Sequence, residues 1–434
     1  MVAWNMSDRR VAVVSGARTP FAKSGGALKE VHAADLGKRA IQETLYRANW
    51  PADDLDEVIL GNVVMPVDAA NLARVAAIWA GVPVSVPGLT MQRNCASGME
   101  AIAEAAARIR TGRGRAIVAG GAESMSNIPL LFPSETMEPM ARLGRSKSIF
   151  QKAAAATALR PRHFRPIAGL ELGLTDPTCD MIMGKTAELL AQEWGISRLE
   201  QDEFALRSHQ RAVQAAETGR FNDEIFPFYA GDDFTPVTND TGPRPGQTME
   251  ALAKLKPIFD RRDGTVTVGN SCQITDGAAT LLLADAEAAR AHGSDVLGFV
   301  SGYAYVGLDP ARMGLGPVYA IDQLLRESSL TLADIPLIEI NEAFAAQVLA
   351  CLKAFDSRKF AAEQLNRDEA LGGIDLDKLN VNGGAIALGH PVGATGARIV
   401  LSLLHEMRRR NLERGIAALC VGGGQGAAIL LERN

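Results

Sequence analysis

The first third of the chain alternates short apolar, β-branched runs with longer stretches of helical spacing. Residues 11–15 read as a strand, 16–21 as a turn and 33–48 as a helix. Residues 57–60 read as a second strand. Residues 98–110 are rich in alanine and other strong helix formers and end at the stop signal Thr111-Gly112-Arg113-Gly114. The apolar strand 116–119 follows and runs into Gly120-Gly121. Strands alternating with helices predict an α/β architecture with mostly parallel strands. The end of the chain repeats this layout. A glycine-rich turn at 393–396 opens a helix over about 397–409, and the strand 416–420 leads to another glycine pair. Two copies of so long a unit predict a duplicated α/β half rather than a repeat array. Between the halves, over about 127–260, lie prolines, methionines and isolated helical stretches at 136–159, 184–193 and 199–218. A long irregular insertion on a compact scaffold predicts a lid or binding loop, with a peripheral helical decoration as the alternative.

Composition narrows the class. The chain has 434 residues, 47% of them apolar and 22% charged, enough for two or three domains with a sizeable core. A net charge of −5 argues against a nucleic-acid partner, which usually requires a basic footprint. The longest apolar candidate, 416–431, is broken by four glycines and Gln425, so no transmembrane helix is expected. The first ten residues lack the layout of a signal peptide, Met6 is a candidate native start, and a cytoplasmic location is expected. Five scattered cysteines (Cys95, Cys179, Cys272, Cys351 and Cys420) fit free thiols in a reducing compartment.

Three glycine-containing turns carry proton-handling side chains. Asn94-Cys95-Ala96-Ser97-Gly98 places a thiol just before the alanine-rich helix, two residues from Arg93. Both the helix N-terminus and a nearby cation favour thiolate. His390 sits among glycines and a proline, in a loop expected to hold it by backbone and cover it poorly. An imidazole of pKa about 6.5 there suits a general base. Cys420 ends a strand and enters Gly422-Gly423-Gly424, where free N–H groups suit an oxyanion. Asn341-Glu342 follows the strand 337–340, a usual site position in α/β sheets, with a helix N-cap as the plain alternative for Asn341. No metal-ligand spacing occurs. Gly184-Lys185-Thr186 lacks the first glycine of a phosphate loop, since position 179 is Cys179.

These segments, together with Arg18-Thr19-Pro20-Phe21, 183–188, 201–205, 270–277 and Asn341-Glu342-Ala343-Phe344, resemble the thiolase family over nearly the whole chain. The resemblance implies a thiolase fold, two similar α/β halves in a layered α-β-α-β-α core. One half would be 8–128 plus 261–290, the other 291–434, with 129–260 inserted over the site. It also implies an acyltransferase that cleaves 3-oxoacyl-CoA with CoA, or condenses two acetyl-CoA in the biosynthetic direction; a non-catalytic lipid-binding or complex-forming subunit is the third alternative. Cys95 would be the nucleophile, His390 its activator and Cys420 the acid/base at the α-carbon. Asn341 would hold a water that forms one oxyanion hole with His390, and the N–H groups of Cys95 and Gly422 would form the other. Met183, Cys272, Gly269 and Phe344 would contact substrate or CoA. No metal or separate cofactor is implied, CoA being a substrate. Homodimers or homotetramers are common in the family, and a hydratase/dehydrogenase subunit of a β-oxidation complex is a candidate partner. Ser208-His209-Gln210-Arg211-Ala212 leans toward the longer β-oxidation type, whereas Asn341 stands where that type often has histidine and Cys272 where many relatives have serine. Met137, Met140, Met181 and Met183 would line an acyl tunnel or fill core. Arg160, Arg162 and Arg165 would face CoA phosphates, a partner or solvent.

Overall fold

Ten strands form one sheet in two matching sets. The computed structural model describes residues 9–231 and 235–433, and the candidate start at Met6 lies outside them. The first set comprises β1 (Val11–Arg18), β2 (Ala22–Lys23), β3 (Glu57–Gly61), β4 (Gly88–Met91), β5 (Ala116–Ser124) and β6 (Thr275–Asp285). The second comprises β7 (Gly298–Gly307), β8 (Ile338–Ile340), β9 (Arg414–Val421) and β10 (Gln425–Glu432). The strand order is β8-β9-β10-β7-β1-β6-β5-β3-β4, with β2 paired to β6. β7, β10, β9 and β8 repeat the spatial order of β1, β6, β5 and β3, and the sets join where Val11 faces Val300 and Val13 faces Gly298. This is the duplicated half expected from the sequence.

Only three pairings of this sheet are parallel: β3 with β4, β3 with β5, and β8 with β9. The expectation of mostly parallel strands is therefore corrected. β6 returns antiparallel to β5 after the insertion, and β10 returns antiparallel to β9 through a tight turn. Between β5 and β6 no described strand joins the main sheet.

Alternating strand residues face two layers. Val11 and Val13 pack with the helices α3 (Ser97–Arg110) and α8 (Thr395–Arg410), while Ala12 and Val14 pack with α1 (Ala33–Ala48) and α2 (Leu72–Ala80). In the second set Ala417 and Leu419 face α8, while Ile416 and Ala418 face α6 (Gly316–Glu327) and α7 (Ala345–Phe355). The result is a five-layer α-β-α-β-α sandwich with α3 and α8 in the middle. Small side chains let a helix lie close between the two halves of the sheet, which explains the alanine run of α3.

Gly16, expected in a turn, and Gly120-Gly121, expected at a strand end, all lie within strands. Residues 16–18 continue β1 rather than turning, because a Cβ on Gly16 would sit 2.5 Å from Leu401 of α8. β5 likewise runs through Gly120 and Gly121, whose Cβ atoms would lie 2.1 Å from the Ala279 carbonyl and 1.9 Å from the Gly393 carbonyl. Both are close-approach positions.

The insertion carries α4 (Met183–Glu193) and α5 (Arg198–Glu217). Arg18, at the end of β1, anchors it by pairing with Glu224 at 2.9 Å and with both oxygens of Asp240 at 2.7 and 2.8 Å, all buried.

Candidate active site

The turns bearing Cys95 and His390 meet because their helices do. Gly98, in the first turn of α3, and Gly396, in the first turn of α8, oppose each other. A Cβ on Gly98 would lie 2.7 Å from the Gly393 oxygen, and one on Gly396 2.4 Å from the Met99 nitrogen. Glu123 at the end of β5 fastens the junction by accepting the N–H groups of Val63, Val64 and Gly393 at 2.9, 3.1 and 3.0 Å.

Cys95 is half-buried. Asn94 before it adopts φ 42°, and Ser97 closes the turn by donating to the Asn94 carbonyl at 2.7 Å. The expected thiolate is not what this setting favours. Burial raises the Cys95 thiol to about 11, although the Gly422 N–H is directed at it. Arg93 turns away, to Glu100 at 2.5 Å and Gln425 at 2.9 Å. Cys95 therefore rests as a thiol and would need a base to act as a nucleophile.

His390 can be that base, for a different reason than expected. It is buried, 5% exposed, rather than poorly covered, and its N–H donates to the Gln273 carbonyl. Burial, and then Arg398, lower its pKa to about 3, so the ring is neutral near pH 7. The Thr395 hydroxyl donates to the Pro391 carbonyl at 3.0 Å and lies 2.7 Å from His390 Nδ1. With that hydroxyl hydrogen committed, Nδ1 carries the ring proton and Nε2 keeps its lone pair. Asn341 Nδ2 lies 3.5 Å from Nε2.

Asn341 is not a helix cap: α7 starts at Ala345, with Phe344 at its cap position. The Asn341 Oδ1 is buried without a protein partner. Cys420 is 1% exposed on β9, its thiol raised well above the ordinary value by burial and then by the neighbouring Cys95. Cys272 is raised to about 12 by burial and Cys95, which places three thiols together.

A cavity of about 380 Å³ opens onto Cys95, Asn94, Met183 and Gly422, with an apolar wall from Ile128, Leu170 and Leu174. Two larger clefts, of about 810 and 920 Å³, contain none of the candidate residues.

The family models described as "Thiolase, N-terminal domain" and "Thiolase, C-terminal domain" match residues 11–287 and 294–433. The chain belongs to the thiolase family. It is 43% identical to an acetyl-CoA acetyltransferase of Pseudomonas aeruginosa, over 98% of this chain and 99% of that protein. It is 39% identical to a 3-ketoacyl-CoA thiolase of Yersinia enterocolitica, over 98% and 97%. The solved structure of human mitochondrial 3-ketoacyl-CoA thiolase in complex with CoA superposes with a TM-score of 0.85 at 36% identity, covering 98% of each chain.

In this thiolase-family chain the other predicted residues are more dispersed. Met183 lines the Cys95 cavity, with its sulfur 3.5 Å from where a Gly422 Cβ would be. Gly269 packs under Leu252 and Leu255, and Phe344 stacks edge-on to Phe259 at 6.1 Å; neither lines that cavity. Met137 and Met140 are 75% and 47% exposed, so they fill neither tunnel nor core in this chain. Arg160, Arg162 and Arg165 are exposed, Arg162 pairing with Glu135 at 3.3 Å. Among the described residues no group of side chains could hold a metal ion, and no helix is long and apolar enough to cross a membrane.

The sequence did not reveal why Glu342 follows Asn341. Its buried carboxylate accepts from Ser208 at 2.6 Å, Asn380 at 2.9 Å and the Ile386 N–H at 3.3 Å, tying β8 to the loop that carries His390. Glu342→Ala would strand these buried donors, so we expect a loss of about 1–3 kcal/mol in denaturant unfolding. An unchanged unfolding midpoint and slope would contradict this role.

Proposed function

We propose that this acyltransferase of the thiolase family cleaves 3-oxoacyl-CoA with CoA, releasing acetyl-CoA and a shortened acyl-CoA. The carrying observation is a neutral His390, its Nε2 3.5 Å from Asn341 Nδ2, in the loop that meets the Cys95 turn at the junction of the halves. In this proposal 8–128 with 261–290 supplies Cys95, 291–434 supplies His390 and Cys420, and 129–260 covers the acyl and CoA site.

His390 Nε2 takes the Cys95 proton, and the sulfur attacks the 3-keto carbon. The N–H groups of Cys95 and Gly422 receive the oxyanion. When that intermediate collapses, the C2–C3 bond breaks. Its electrons become the acetyl-CoA enolate, whose oxygen meets protonated His390 and a water accepted by Asn341 Oδ1. Cys420, a neutral thiol, protonates C2. The incoming CoA thiol gives its proton to the Cys420 thiolate and attacks the thioester. Cys95 leaves as thiolate and recovers its proton from His390. CoA is a substrate here, a reading supported by the CoA-bound human relative.

The biosynthetic direction uses the same groups, and the Pseudomonas relative's name favours it. The apolar cavity wall favours longer chains. Thiolysis measured across 3-oxoacyl-CoA substrates of increasing length is expected to rise in kcat/KM beyond acetoacetyl-CoA, since each buried CH₂ adds about 0.8 kcal/mol. Activity confined to acetoacetyl-CoA would leave the condensation reading. A cytoplasmic homodimer or homotetramer, with a β-oxidation hydratase/dehydrogenase subunit as partner, completes the proposal; sedimentation of the chain alone and with such a subunit tests it.

A further inference from the structure

One peptide unit beside Cys95 is pinned at both ends by side chains from different parts of the chain. Its carbonyl, that of Gly422, accepts Asn94 Nδ2 at 2.8 Å. Its N–H, that of Gly423, donates to Asp176 Oδ2 at 2.8 Å. Asn94 belongs to the nucleophile turn, whereas Asp176 belongs to the insertion. Gly423 and Gly424 follow with φ of 84° and 70°, in a turn whose glycines have many accessible conformations. The orientation of this peptide therefore has to be imposed from outside.

Asp176 is itself rigidly held. It is 4% exposed, and its Oδ1 accepts the Thr178 N–H at 2.8 Å and the Thr178 hydroxyl at 2.6 Å. Its backbone pairs with Met181 in a short hairpin (Thr175–Asp176 with Met181–Ile182), which leads directly into Met183 and α4. The same hairpin region lines the cavity at Cys95. The carboxylate is thus the polar link between the covering insertion and the turn that aims the Gly422 N–H.

We propose that Asp176 is a positioning residue: by holding the Gly423 N–H it sets the Gly422 turn, so that the oxyanion hole is formed only when the insertion is seated over the site. A covering segment would then report its closure to the chemistry through one hydrogen bond. This rests on the reading above that the Gly422 N–H receives the oxyanion.

The test compares Asp176→Ala, Asp176→Asn and Thr178→Val with the unmodified full chain. It uses steady-state thiolysis, the rate of acyl-enzyme formation, and amide exchange across 421–426. Asp176→Ala is expected to lower kcat by about 10- to 100-fold and to slow acylation equally, with KM within about threefold, as for loss of a well-aimed oxyanion donor. Amide exchange in the turn should accelerate. Asp176→Asn, whose carbonyl can still accept the Gly423 N–H, should recover most of the rate, and Thr178→Val should lie between. An unchanged kcat, a loss confined to KM, or an equal loss in Asp176→Asn would overturn the proposal. If the unmodified chain has no Cys95-dependent activity, the functional reading fails instead; turn exchange in Asp176→Ala, which needs no substrate, still decides whether Asp176 holds the turn.

Discussion

Cys95→Ala is expected to lower kcat/KM for thiolysis by about 10⁴-fold or more, with little change in unfolding. The sulfur is the only atom removed, and it is half-buried beside an open cavity, so no close-packed core contact is lost. The Gly422 N–H then faces space rather than a thiol. A merely structural cysteine at this position would show the reverse pattern, with stability reduced and rate retained. Steady-state kinetics paired with a denaturant curve separates the two.

The second large effect concerns His390. His390→Ala should reduce kcat by about 10²–10⁴-fold, the usual contribution of a positioned general base. Its pH dependence is the sharper readout. In the unmodified chain burial and Arg398 hold the His390 pKa near 3. The free imidazole is then already unprotonated at pH 5, and kcat/KM should show no acid limb centred near 6.5. Without His390 the reaction depends on Cys95 ionising unaided. Its thiol lies at about 11, so the residual rate should climb about tenfold per pH unit through the neutral range. A limb near 6.5 in the unmodified chain, or a flat variant profile, would contradict the assigned proton path.

Much of the candidate site is legible in the sequence because each proposed reactive side chain stands in or beside a glycine-containing turn. Cys95, His390 and Cys420 stand out in this way in the sequence itself, and the duplicated α/β layout follows from helical and strand periods alone. What was not legible depends on partners distant in sequence. Gly16 reads as part of a turn, and the strand 116–119 reads as ending at Gly120-Gly121, because a glycine needed for close approach carries the same local signal as one needed for bending. Strand direction is not legible because β5 meets β6 only after the whole insertion. Cys95 was expected to be ionised from its helix position, but local cues carry no measure of burial, which here dominates. Glu123, Asp176 and Thr395 act through hydrogen bonds that only the folded backbone brings together.

The most direct test of the account is the mass of the intact protein after mixing with acetoacetyl-CoA in the absence of free CoA, followed by peptide mapping. One acetyl group per chain is expected, carried on Cys95, absent in Cys95→Ala and discharged on adding CoA. An unmodified mass, or an acetyl group carried on Cys272 or Cys420 instead, would contradict it.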